Sequence, residues 1–195
     1  MDAFTIAVDG IHLLTVNLEG MHLFHVSISS SLHEAAAATL EVHGGTYGDE
    51  VDGHRIWVSN HALLPGQSVT VGFAESTGPF SKGATMHELF PDDESSEAFD
   101  FTITNAKAAE LRTRPTLRES FSMNIAKNSG AQCVLESSPN NDQFTFMILW
   151  DQWSPLQARL SARTYCFEDV IARQSGNDHL RATLSLGESA TCQVG

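Results

Sequence analysis

The chain has 195 residues, of which 42% are hydrophobic and 18% are charged, and its formal net charge is −13. This apolar content is too high, and the charged fraction too low, for an intrinsically disordered protein, so we expect a folded chain with a well-buried core. The negative charge opposes binding to nucleic acid or anionic lipid, because both require a basic surface.

The first 28 residues predict a β-meander. Two similar units begin at Asp9-Gly10 and Glu19-Gly20, and Asp-Gly is a preferred two-residue hairpin turn because both of its positions need positive φ. Strands are predicted over 3–8, 11–18 and 21–28. If both turns are two-residue loops, one face of the meander is almost wholly apolar. That face comprises Phe4, Ile6, Val8, Ile11, Leu13, Phe24, Val26 and Ile28.

The rest of the chain also alternates mainly with the period of β-strands. Strands are predicted over 39–43, 55–59, 68–73, 120–126, 133–136, 144–150, 157–165 and 180–186. A capped helix is predicted over 104–112, closing before Pro115, and a short helix over 167–173, ended by Gly176. About eleven short strands with frequent turn signals favour an all-β, mainly antiparallel fold, either a β-sandwich or an open barrel.

We expect one domain over residues 1–195. The alternative is two β-rich halves, 1–75 and 119–195, joined by an acidic loop and helix crossover over 76–118. No signal peptide and no membrane-length apolar run are found. Three cysteines without a C-x-x-C pair, at 133, 166 and 192, are typical of free structural thiols in a reducing compartment. These features predict a cytoplasmic protein.

The net charge belongs entirely to the first half of the chain. Residues 1–100 hold 15 acidic side chains against only Arg55 and Lys82, whereas residues 101–195 hold nine of each sign. The densest acidic segment interleaves carboxylates with aromatic side chains, a pattern that suits contact with a basic protein, because buried aromatics supply affinity and charge supplies steering. The predicted partner-binding residues are Glu88, Phe90, Asp92, Asp93, Glu94, Glu97, Phe99 and Asp100.

Other candidate sites are weaker. Trp150 and Trp153 stand three apart at a strand end and could form a stacking platform for a sugar, although a buried tryptophan is common in a sandwich. His12 and His25 fall on one face of the predicted meander, but two imidazoles are short of a zinc site. No nucleophile motif and no nucleotide-binding motif is found. We therefore predict no catalytic residue, no cofactor and no metal.

These observations predict a non-catalytic binding protein with a basic protein partner. The role that best suits an acidic, β-rich chain without a catalytic motif is that of a bacterial immunity protein, which neutralises a cognate toxin. Toxins that attack nucleic acid are basic, so an acidic surface would complement them. One alternative is a β-sandwich that binds a small ligand or carbohydrate, and another is a metal-dependent enzyme with a histidine site.

Overall fold

The computed structural model describes residues 1–46, 53–91, 102–138 and 140–195, and within these ranges the chain forms two β-sheets and three short helices. The strands are β1 (Asp2–Val8), β2 (Ile11–Asn17), β3 (Leu23–Ser31), β4 (Ala38–Gly45), β5 (His54–Leu63), β6 (Ser68–Glu75), β7 (Ala84–Thr85), β8 (Ser122–Lys127), β9 (Gln132–Glu136), β10 (Gln143–Asp151), β11 (Gln157–Tyr165), β12 (Asn177–Ser185) and β13 (Glu188–Val194). The helices are α1 (Met86–Leu89), α2 (Asn105–Thr113) and α3 (Phe167–Ile171). No helix in the described part is long and apolar enough to span a membrane.

The predicted antiparallel β-sandwich with an N-terminal meander is confirmed. One sheet has the strand order β2-β1-β6-β13-β8-β9, and the other has the order β12-β11-β10-β3-β4-β5-β7. The consecutive strands β3, β4 and β5 pair in order as a meander, whereas of the three strands predicted over 3–28 only the first two, β1 and β2, pair with each other. Both sheets combine strands from the two halves of the chain, since β6 pairs with β13 and β3 pairs with β10.

The core lies between the sheets and follows from strict alternation along the strands. In β10, for example, Phe144, Phe146 and Ile148 are fully buried, while the residues between them face outward. The ring of Phe4 joins the two layers. It stacks on Phe73 of its own sheet at 4.5 Å between centroids and on Phe24 of the other sheet at 4.9 Å.

The first turn forms as predicted, but the register beyond it differs. Asp9 and Gly10 both have positive φ, 53° and 75°, as a two-residue hairpin requires. A β-bulge then shifts the pairing, so that Ile6 lies opposite Leu14 rather than Leu13. The prediction that Leu13 faces the core is therefore wrong. The prediction for Ile11 is also wrong, although Ile11 pairs with Val8 as expected beside the turn. Ile11 and Leu13 are 75% and 39% exposed, and Leu14 and Val16 take their place in the core.

The second turn carries the chain from one sheet to the other. Gly20 has positive φ (78°), but Glu19 does not, so this turn lacks the backbone geometry that matches the twist of paired strands. The Met21 N–H still donates to the Leu18 carbonyl at 3.0 Å, yet β2 and β3 separate into different sheets. The expected pairing of the second and third strands is wrong for this reason.

A short segment, Ser81–Thr85, connects the edges of the two sheets, and we call it the strap. The Ser81 N–H donates to the Thr15 carbonyl of β2 at 2.7 Å, and Ala84–Thr85 forms β7 against β5. The strap crosses the face of Trp57, whose Nε1–H donates to the Ser81 carbonyl at 2.9 Å. A Cβ on Gly83 would lie 2.9 Å from the Trp57 ring, so glycine is required for this close approach.

Both predicted helices form, α2 with Thr104 as its N-cap and α3 after Cys166. The strand β13 and the helix α1 were not predicted. All three cysteines are free thiols.

Candidate partner-binding end

Acidic side chains gather at the end of the sandwich where β1 begins and β2 and β6 end. Asp2 opens β1, Glu75 closes β6 directly opposite it, and Glu19 lies in the turn after β2. No lysine or arginine of the described residues forms an ion pair with these three carboxylates. We call this region, defined by Asp2, Glu19 and Glu75, the acidic end.

Many of the cations lie at the opposite end, where α2 and α3 pack together. Arg112 forms a bidentate ion pair with Glu168 there, at 2.7 and 2.9 Å. Arg118 donates to the Ser30 hydroxyl and the Ser31 carbonyl, each at 2.8 Å, and so ties its segment to the end of β3. Three carboxylates without an ion pair among the described residues thus lie at one end of the fold, whereas the cations at the other end are engaged within the chain.

The acidic end contains a cavity of about 460 Å³. Trp150 is one of the residues that line it, and its indole is held in place because the Nε1–H donates to the Pro155 carbonyl at 2.9 Å. Asp2 and Glu19 contribute carboxylates to its wall, and Gln152 contributes an amide. An indole beside two carboxylates is suited to a cationic group, which both the ring face and the negative charge attract. We call this cavity the Trp150 cavity.

The helix α1 adds an exposed apolar patch beside the start of β5. Met86, Leu89 and Phe90 are 44%, 40% and 49% exposed. The strap positions this patch, since Thr85 both pairs with Arg55 of β5 and caps the helix. Three large apolar side chains on a single short turn form a surface of the kind that protein partners cover.

Glu88, one of the predicted partner contacts, is engaged within the chain. Its carboxylate accepts the Thr85 N–H at 2.8 Å in a capping box, and it lies 3.7 Å from Lys82 and 4.0 Å from Arg55. The Thr85 hydrogen bond, with these cations, lowers the pKa of Glu88. Both cations of the first half of the chain thus lie beside Glu88, so this carboxylate is already engaged within the chain.

The other predicted partner residues divide between the described and undescribed parts of the chain. Phe90 is half exposed at the end of α1. The remaining six lie outside the described residues: Asp92, Asp93, Glu94, Glu97, Phe99 and Asp100.

The two tryptophans of the alternative sugar site have different environments. Trp150 is 4% exposed and contributes to the cavity, whereas Trp153 is 73% exposed and does not line it. The structure therefore places one indole in the core and one at the surface.

The predicted proximity of His12 and His25 is wrong, because their strands belong to different sheets. His12 instead contacts the Thr15 hydroxyl at 2.9 Å. His25 lies beside His43 of β4, with 2.6 Å between Nδ1 and Nε2, and His54 follows at 5.3 Å between ring centroids. Within the described ranges no group of three or more ligating side chains is arranged to hold a metal ion.

Burial lowers the pKa of all three histidines in this row. The pKa of His25 falls to about 4, first because of desolvation and second because of repulsion from His43. The pKa values of His43 and His54 are also lowered, mainly by desolvation. The row is therefore neutral at pH 7, which favours a structural role for it.

This chain matches no family model, no curated protein and no solved structure. Its function is inferred here from the acidic end. The residues of the Trp150 cavity that sequence reasoning missed are Asp2, Asn17, Glu19 and Gln152. They come from three separate segments of the chain, and the only local signal was the Glu19-Gly20 turn.

Proposed function

We propose that this chain is a non-catalytic binding protein that docks a basic partner protein onto its acidic end. The observation that carries the proposal is the Trp150 cavity, in which Asp2 and Glu19 have no cationic partner among the described residues. A lysine or arginine side chain of the partner would supply the missing charge. Its aliphatic part would pack against the indole and Pro155.

The patch on α1 would supply the apolar part of the same interface. Binding energy in protein complexes is concentrated in a few buried aromatic and cationic anchors, and Phe90 is exposed enough to be one of them. The net charge of −13 would accelerate the encounter with a basic partner and reject acidic proteins.

The finer proposal is that the partner is a basic antibacterial toxin and that this chain is its cytoplasmic immunity protein. A toxin that attacks nucleic acid must present a cationic active-site surface to phosphate, and an acidic end with a cation-accepting cavity complements that surface. Binding without chemistry suffices for this role, so it requires neither a cofactor nor a metal.

The experiment is affinity capture from the lysate of the source organism at low and then moderate salt, followed by calorimetry with the purified partner. The test variant is Asp2→Asn combined with Glu19→Gln. The matched control, Glu119→Gln with Glu136→Gln, removes two exposed charges at the opposite end. We expect the test variant to weaken binding about tenfold or more and the control to leave the affinity unchanged.

A stoichiometric basic partner whose toxicity is suppressed by co-expression with this chain would support the immunity role. Equal loss of affinity in both variants would contradict docking at the Trp150 cavity, because it would indicate only a long-range charge effect. Charge reversal at Asp92, Asp93 and Glu94 measures the contribution of the acidic segment separately. If no basic protein is retained, the proposal fails, and a glycan screen of the Trp150 cavity tests the carbohydrate alternative.

A further inference from the structure

A second cavity lies on the outer face of the seven-stranded sheet, and its chemistry is opposite to that of the acidic end. It measures about 370 Å³ and lies between the outward-facing side chains of β10 and β11 and the turn after α3. Alternation along β11 brings Ser161, Arg163 and Tyr165 to this face. The turn after α3 adds Arg173, Gln174 and Ser175.

Among the described residues no carboxylate lines this cavity, although the chain as a whole carries 24 acidic residues. Its polar wall consists of two guanidinium groups, several hydroxyls and one amide, and all of these can donate hydrogen bonds. Met147 and Val170 supply an apolar surface. A few convergent donors around an apolar surface, in a cavity of this size, are typical of a small-ligand site.

The two arginines that line the cavity, Arg163 and Arg173, differ in their partners. Asp178 accepts hydrogen bonds from both Arg163 and Arg181, so a single carboxylate is shared by two guanidinium groups. Arg173 forms no ion pair with any carboxylate of the described residues. Among the described residues, Arg173 is therefore the arginine of this cavity that can bind an anionic ligand without giving up an ion pair.

The backbone at Arg173 is a second, independent observation. Its φ is +57°, in the left-handed region that glycine or asparagine would occupy with less strain. Hydrogen bonds hold this conformation, since the Arg173 N–H donates to the Val170 carbonyl at 3.1 Å and the Gln174 N–H to the Asp169 carbonyl at 2.8 Å. These hydrogen bonds form a left-handed cap at the end of α3, which fixes the point beside the cavity from which the Arg173 side chain extends.

We propose that this cavity binds a small molecule that carries a phosphate monoester. A dianionic phosphate has three terminal oxygens, which would match Arg163, Arg173 and the hydroxyls of Ser161 and Tyr165. A carboxylate has fewer acceptor oxygens and only one charge, so it would leave part of this donor set unused. The apolar part of the ligand would lie against Met147 and Val170. This site is separate from the acidic end and does not depend on the function proposed for it.

The test uses phenyl phosphate as the probe, benzoate as the carboxylate comparison and inorganic phosphate as the competitor. Binding is followed by calorimetry and by the NMR shift of the Met147 methyl group, with the fully buried Met123 as an internal reference. The variant is Arg173→Gln, which breaks no ion pair, and the matched control is Arg114→Gln on another part of the surface. Unfolding midpoints check that both variants are folded.

We expect phenyl phosphate to bind saturably, to shift the Met147 signal and to be displaced by inorganic phosphate. Arg173→Gln should weaken its binding about tenfold, whereas Arg114→Gln should not. Absence of saturable binding, or equal weakening by the two variants, would overturn the site. Benzoate binding as tight as that of phenyl phosphate would overturn the assignment to a phosphate ligand.

Discussion

The row formed by His25, His43 and His54, of which the first two are partly buried, makes the stability of this protein dependent on pH in a window above that of its carboxylates. His25 and His43 lie side by side on β3 and β4, and their ring nitrogens are 2.6 Å apart. The pKa of His25 falls from its ordinary value of 6.5 to about 4 in the folded protein. Between these two pH values His25 is protonated in the unfolded chain but neutral in the folded protein, so acidification favours unfolding.

The size of the effect follows from the two pKa values of His25. Between pH 7 and pH 5, proton linkage at this residue alone lowers the free energy of unfolding by about 2 kcal/mol, and partial solvent exposure reduces that to about 1–2 kcal/mol. The lowered pKa values of His43 and His54 act in the same direction. By contrast, the pKa of Glu188 is lowered from 4.5 to about 2. Its contribution to the stability of the folded protein is therefore lost only when the pH falls below about 4.5.

The assay is urea denaturation at pH 7, 6 and 5, followed by tryptophan fluorescence and circular dichroism. The variant His25→Gln should lose less stability on acidification than the unmodified protein. It lacks the histidine whose pKa is lowered on folding to about 4. His61→Gln removes an exposed histidine from β5 and serves as the control, with an unchanged pH dependence expected. Equal stability of the unmodified protein at pH 7 and pH 5 would refute the reasoning. So would a pH dependence of His25→Gln identical to that of the unmodified protein.

Three further predictions concern stability at neutral pH, each measured by the shift in the urea midpoint. Phe4→Ala should cost about 3–5 kcal/mol, because the fully buried ring stacks on Phe24 and Phe73, and an unchanged midpoint would contradict its place in the core. Arg118→Met should cost about 2–3 kcal/mol, since it removes charge-assisted hydrogen bonds to the buried Ser30 hydroxyl and to the Ser31 and Glu34 carbonyls; a loss of stability below about 0.5 kcal/mol, as for an ordinary surface substitution, would refute this. Thr85→Ala should cost about 1 kcal/mol through loss of the α1 N-cap, and a neutral result would show that α1 contributes little to the fold.

Much of the fold was predictable from local patterns. The alternation in β6, β10 and β11 identified these strands, because side chains in a strand point to opposite faces with a period of two. The strand β13 was missed, since its alternation rests on small side chains such as Ala190 and Cys192. The acidic end was only partly predictable. The charge surplus of the first half was visible, but the convergence of Asp2, Glu19 and Trp150 on one cavity was not.

The sequence by itself determined most of the segments that become strands and where the first hairpin turns, because both depend on the conformations of neighbouring residues. Only the tertiary structure decided which sheet each strand joined. Gly20 alone adopts positive φ in the second turn, β2 and β3 part, and the hydrogen bonds of β3 are made instead with β10, more than one hundred residues away. The same long-range pairing brings Trp150 beside two N-terminal carboxylates. The pairing of distant strands depends on the total apolar surface that the two sheets bury together. That total cannot be read from any short stretch of the sequence.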